Sequence, residues 1–70
     1  MNLNEGQEKT VYKIDCILEN PEIQRKIELL GFRKNADIEI LSKGKNELFV
    51  KVNNNKVSVD DHFAGHIIIE

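Results

Sequence analysis

The chain has 70 residues, 40% of them hydrophobic and 31% charged, with a net charge of −2, one proline and one cysteine. Such a chain makes one domain over residues 1–70 and buries only about 60% of its unfolded-state surface, so its core is thin. Ten scattered Lys and Arg residues with a pI near 5.7 exclude the basic stripe that nucleic-acid binding asks for, and a lone cysteine excludes an internal disulfide. The missing disulfide points to a reducing cytoplasm. Residues 1–9 lack the apolar stretch of a signal peptide, and the longest purely apolar run is Ile67-Ile68-Ile69.

Leu3 and Gly6 frame a packed N-terminal arm. Tyr12, Ile14 and Cys16 then alternate with Lys13 and Asp15, the period-2 pattern of a half-buried strand, which makes Cys16 an inert strand residue of the core. Val11 and Ile17 fall on the other phase, so the strand is either covered on both faces or bent near Ile17.

Asn20-Pro21 starts a helix, with Asn20 as cap and Pro21 at the first helical position. Ile23, Ile27 and Leu30 form one apolar stripe over residues 21–30, and Gln24, Arg25, Lys26 and Glu28 take the solvent side. Gly31 supplies the left-handed cap and Phe32 packs back.

Ile38 and Ile40 alternate with Asp37 and Glu39 in a second strand, Asp37 to Leu41. A turn at Lys43-Gly44-Lys45-Asn46 leads to Leu48, Val50 and Val52, which leaves Phe49 facing outward. Asn53-Asn54-Asn55 makes the next turn, because asparagine tolerates positive φ. Val57 and Val59 mark the fourth strand, a helical turn near 60–64 follows with an Asp cap, and Ile67 and Ile69 close the sheet. The count is mostly β: five strands, one short helix and no internal repeat, arranged as a small barrel whose closure removes unpaired edges.

No set of acid, base and nucleophile can be assembled, so the chain is not expected to be an enzyme. His62 and His66 stand at i, i+4 beside Asp60 and Asp61, the spacing at which a helix presents two imidazoles to a metal. Gly65 interrupts that helix, and surface side chains are the plainer reading. The outer helix face Gln24, Arg25, Lys26 and Glu28, with Arg33 and Lys34 and an exposed Phe49, is the candidate partner-binding surface.

These features resemble the FeoA domain family of ferrous iron transport. The match rests on the arm Leu3 to Gly6, on Tyr12, Ile14 and Ile17, on Ile27 and Leu30-Gly31-Phe32, on Ile38 and Ile40, and on the close Ala64-x-x-Ile67-x-Ile69. Asn35 stands where the family usually carries glycine, and it can hold a left-handed conformation. The Lys43–Asn46 hairpin lacks the family's proline and Gly-Asp, which puts a function for that loop in doubt.

The resemblance implies an SH3-like barrel. Its implied function is that of a small cytoplasmic accessory or regulatory protein, docking on the FeoB-type GTPase that transports ferrous iron. It would reach the membrane only through that partner, without nucleic acid and without a cofactor. Ferrous iron held by His62 and His66, and a homodimer sealed by Ile68 and Phe49, stay open. The alternatives are a metal-binding or metal-sensing barrel, and a nucleic-acid-binding barrel with Tyr12 and Phe49 as stacking residues.

Overall fold

The computed structural model describes all 70 residues. A 3₁₀ turn, Leu3–Glu5, opens the chain, followed by β1 (Thr10–Ile17), α1 (Pro21–Glu28), β2 (Asp37–Lys43), β3 (Glu47–Val52), β4 (Asn55–Asp60), α2 (Asp61–Ala64) and β5 (Ile67–Ile69). All strand pairs are antiparallel, in the order β4-β3-β2-β1-β5. No helix is long and apolar enough to cross a membrane.

The sheet curls into an SH3-like barrel because β1 serves two neighbours. Its first half pairs with β2 (Tyr12 opposite Ile38) and its second half with β5 (Ile17 opposite Ile67). Irregular register between Ile14 and Cys16, and again between Ile40 and Ser42, supplies the bends. β4 and β5 do not pair with each other. The arm instead lines β5, with Asn2 bridged to Ile68 and the Ile69 amide donating to the Met1 carbonyl at 2.8 Å, while α2 joins the two outer strands. Closure therefore comes from the arm and α2 rather than from a fifth strand–strand ladder.

The alternation of β2 and β3 is realised as expected. Ile38, Ile40, Leu48, Val50 and Val52 are buried, together with Leu3, Ile14, Ile67 and Ile69. Phe32 joins them and meets Phe63 edge-to-face with centroids 6.1 Å apart. Asn53 (φ 51°) and Asn54 (φ 64°) make a two-residue hairpin between Val52 and Asn55, the turn that matches strand twist. Asn35 is left-handed (φ 71°), and so is Lys9 (φ 61°), which no local pattern announces.

Three expectations need correction. Cys16 is exposed, because the irregularity after Ile14 shifts the phase of β1 and turns the thiol outward. The helix ends at Glu28, not at residue 30, so Leu30 leaves the apolar stripe and is 43% exposed. The second strand continues past Leu41 to Lys43, its extra length taken up by the bulge.

Candidate functional site

α1 has no fully buried residue. Asn20 caps it by accepting the Ile23 amide at 3.0 Å, and Ile27 packs against the core. Gln24, expected on the solvent side, is half-buried: its Nε2 donates to the carbonyls of Ile17 (3.0 Å) and Glu19 (2.8 Å). That amide ties the helix to the end of β1 and the chain leaving it. At the other end the Arg33 guanidinium donates to the Glu28 carbonyl at 3.1 Å, covering an acceptor of the last turn.

Two depressions flank this helix end. A cleft of about 220 Å³ between β1 and α1 gathers Gln24, Glu28, Arg33 and Lys34 with Asp15, Cys16 and Ile17. A larger groove of about 540 Å³ lies over the outer face of β1, β2 and β3, lined by Val11, Asp37, Glu39 and Lys51 with Gly31, Arg33, Ala36 and the Asn53-Asn54 turn. Arg33 borders both. Val11, Glu39 and Lys51 stand side by side in the strand register, an apolar, an acidic and a basic residue in one row.

Immediately before Gly31, Leu29 is 83% exposed and Leu30 43%. Sequence reasoning missed this pair because Leu30 fitted the i, i+7 stripe. The signal that was available is Leu29, which falls two residues after Ile27 and so off the stripe.

The expected partner-binding residues are thus only partly brought together. Gln24, Glu28, Arg33 and Lys34 share the cleft. Arg25 and Lys26 are exposed on α1 outside both depressions. Phe49 is 40% exposed between Ser42 and Ser58, on the outward phase of β3 two positions before Lys51. None of Arg25, Lys26, Arg33 and Lys34 has a carboxylate within ion-pair distance; the side-chain ion pairs are Lys13–Asp37 at 2.8 Å and His66–Glu19. Tyr12 is not free to stack on a base, since it packs against the core and its hydroxyl accepts the Gln7 amide at 2.8 Å.

On the side of the β1–α1 linker, His66 Nδ1 lies 2.6 Å from Glu19 Oε1. The His62 and His66 rings meet edge-to-face with centroids 4.9 Å apart. Asp60 is occupied as the cap of α2, accepting the Phe63 amide at 2.7 Å. No group of three or more His, Cys, Asp or Glu side chains is placed to hold a metal ion. Both depressions present charged and hydrogen-bonding groups with a few apolar side chains.

Solved structures of FeoA proteins share this fold at low sequence identity. The FeoA protein of Chlorobium tepidum superposes with a TM-score of 0.90 at 18% identity, over all of this chain and 69% of that one. Iron(II) transport protein A of Clostridium thermocellum gives 0.89 at 21%, over all of this chain and 44% of that one. The zinc-complexed FeoA of Stenotrophomonas maltophilia, described as a prokaryotic SH3 domain protein, gives 0.86 at 22%, with 100% and 89% covered. No curated protein matches the chain. The FeoA domain model matches residues 1–70 in full. The chain belongs to the FeoA family, which is linked to ferrous iron transport.

Proposed function

We propose that this protein is a cytoplasmic accessory module of ferrous iron transport that acts by docking on the FeoB-type GTPase transporter, with no catalysis of its own. It meets the membrane only through that partner. The observation that carries the reading is the exposed Leu29–Leu30 pair, held at the end of α1 beside a groove of mixed charge. Adjacent exposed leucines favour an interaction site, and apolar anchors ringed by polar groups are the usual centre of an interface. Arg33, Lys34, Arg25 and Lys26, free of internal carboxylate partners, form the basic rim on the helix side, and Phe49 extends the apolar contact along β3.

Calorimetry with the transporter's cytoplasmic GTPase domain tests this. Saturable binding is expected, weakened at least about tenfold by Leu29→Asp, the loss typical of an interface anchor. No detectable association, together with unchanged iron uptake when the protein is deleted, overturns the reading.

A further inference from the structure

β4 is the open edge of the sheet. It ends the strand order on one side, whereas β5 on the other is lined by the N-terminal arm through the Asn2–Ile68 bridge. Its ladder with β3 runs from Val52–Asn55 to Glu47–Asp60 without a shift, so neither bulge nor proline spoils further pairing. The two-residue turn closes on Val52 and Asn55, and past the other end the Asp61 amide donates to the Asn46 carbonyl at 3.0 Å. Bonded pairs alternate along an antiparallel ladder, so Val57 and Val59 face β3 with their backbone groups. Those of Lys56 and Ser58, and the Asp60 amide, therefore point away from it. No turn or loop bond reaches the Lys56 or Ser58 backbone.

The same residues carry charge in a self-complementary order. Lys56 stands directly opposite Lys51, and Asp60 directly opposite Glu47, two like-charge cross-strand pairs that are each unfavourable. Neither Lys56 nor Asp60 has an ion-pair partner. A lysine on an edge strand normally deters a neighbour, but here Asp60 answers it, with Ser58 midway between them. A second copy laid antiparallel along β4, Ser58 against Ser58, sets Lys56 opposite Asp60 of the second copy at both ends. In that register outward backbone groups meet outward backbone groups, and Val57 falls beside Val59 of the second copy on the inner face. Moving the two-fold axis to Val57 or Val59 keeps the backbone match but loses both charge pairs. The overlap ends where each chain leaves the strand, at the Asn53-Asn54 turn and at the start of α2.

We propose that β4 is a self-association edge, at which two copies of this chain pair antiparallel about Ser58 and join their sheets into one. The contact is isologous, the same strand serving both copies. A single pair of strands buries less than a standard interface, so the dimer is weak and forms as concentration rises. No residue of β4 lines either depression beside α1, and the pairing does not rest on the transporter reading.

The test is sedimentation of the full chain from about 10 μM to about 1 mM, the range in which so small an interface fills, with amide hydrogen exchange at both ends. A monomer–dimer equilibrium that weakens with salt is expected, and the amides of Lys56, Ser58 and Asp60 gain protection as the dimer forms. Lys56→Glu meets Asp60 twice in the symmetric pair and should lower the association constant at least about tenfold. Lys56 is exposed, so that variant keeps the fold, as the amide spectrum verifies. Ser58→Pro removes an amide that points away from β3 and should abolish the pairing. A chain still monomeric at the highest concentration overturns the proposal. So does a dimer in which the three amides exchange as they do in dilute solution, or one that Lys56→Glu forms as readily as the wild type.

Discussion

Gly31 packs directly against Asn53, so that a Cβ on Gly31 would overlap the Asn53 Cβ. Both residues have positive φ, 102° and 51°. The turn that ends α1 and the turn that joins β3 to β4 are thus locked back to back, and this contact fixes where Leu29 and Leu30 stand beside the groove. Gly31→Ala meets both a disfavoured backbone and a steric clash. We expect it to lower stability by about 1–3 kcal/mol in chemical denaturation, with weaker transporter binding in the fraction that stays folded. A neutral Gly31→Ala would mean that the two turns do not touch.

The closing strand is the second place where one residue decides much. Ile67 is fully buried opposite Ile17. Ile67→Ala removes that packing from a core of only 12 buried apolar residues, and the expected loss is about 2–4 kcal/mol. For a domain this small that is a large share of the total. Thermal denaturation showing no change would overturn the β1–β5 register.

Much of this architecture was legible because short-range signals agreed with the fold. Ile38 and Ile40, and then Leu48, Val50 and Val52, alternate with outward-facing residues, Asn35 and the Asn53-Asn54 pair are residues that tolerate positive φ, and Phe32 follows a glycine as a helix-ending hydrophobe should. The failures arise where tertiary contacts or the end of an element override the local pattern. The bulge after Ile14 arises where β1 passes from β2 to β5, and nothing local at Asp15 marks it. Gln24 reads as a solvated helix residue until the carbonyls of Ile17, at the end of β1, and of Glu19 are seen beside it. The candidate site suffered most, because Arg33 and Lys34 meet Cys16 only through the fold, and Leu30 leaves the apolar stripe because the helix stops at Glu28.

Since α1 buries no residue fully, its caps carry an unusual share of its stability. Asn20→Ala removes the acceptor for the Ile23 amide and should cost about 1 kcal/mol. Gln24→Ala leaves two half-buried carbonyls without their donor and should cost about 1–3 kcal/mol. Hydrogen exchange is the sharper readout: protection should fall first in Pro21–Glu28 while β2 and β3 keep theirs.

Charge reversal on the helix separates folding from docking. Arg25 and Lys26 are exposed and have no ion-pair partner, so Arg25→Glu should leave stability within about 0.5 kcal/mol. Breaking the exposed Lys13–Asp37 pair should matter as little, since solvent and salt screen it. Under the docking proposal Arg25→Glu nevertheless weakens association with the transporter domain, and more so at low salt. Binding as tight as that of the wild type would remove α1's basic face from the interface.

Cys16 offers a probe that needs no substitution. It is the single thiol, it is exposed, and it lines the cleft with Gln24, Glu28, Arg33 and Lys34. Had it sat in the core, as its phase with Tyr12 and Ile14 suggests, labelling would wait for the chain to open. For a domain stable by about 5 kcal/mol, that opening slows modification by roughly three orders of magnitude or more. Turned outward by the bulge, the thiol should react with a maleimide in native buffer within about tenfold of the rate in denaturant, because no opening of the fold is needed to reach it. Slow native labelling would restore the unbulged register. The same reaction then maps docking. If the transporter's GTPase domain covers the cleft, saturating amounts of it protect Cys16; if the domain sits only on Leu29, Leu30 and the sheet groove, the thiol stays reactive while Leu29→Asp still weakens the complex.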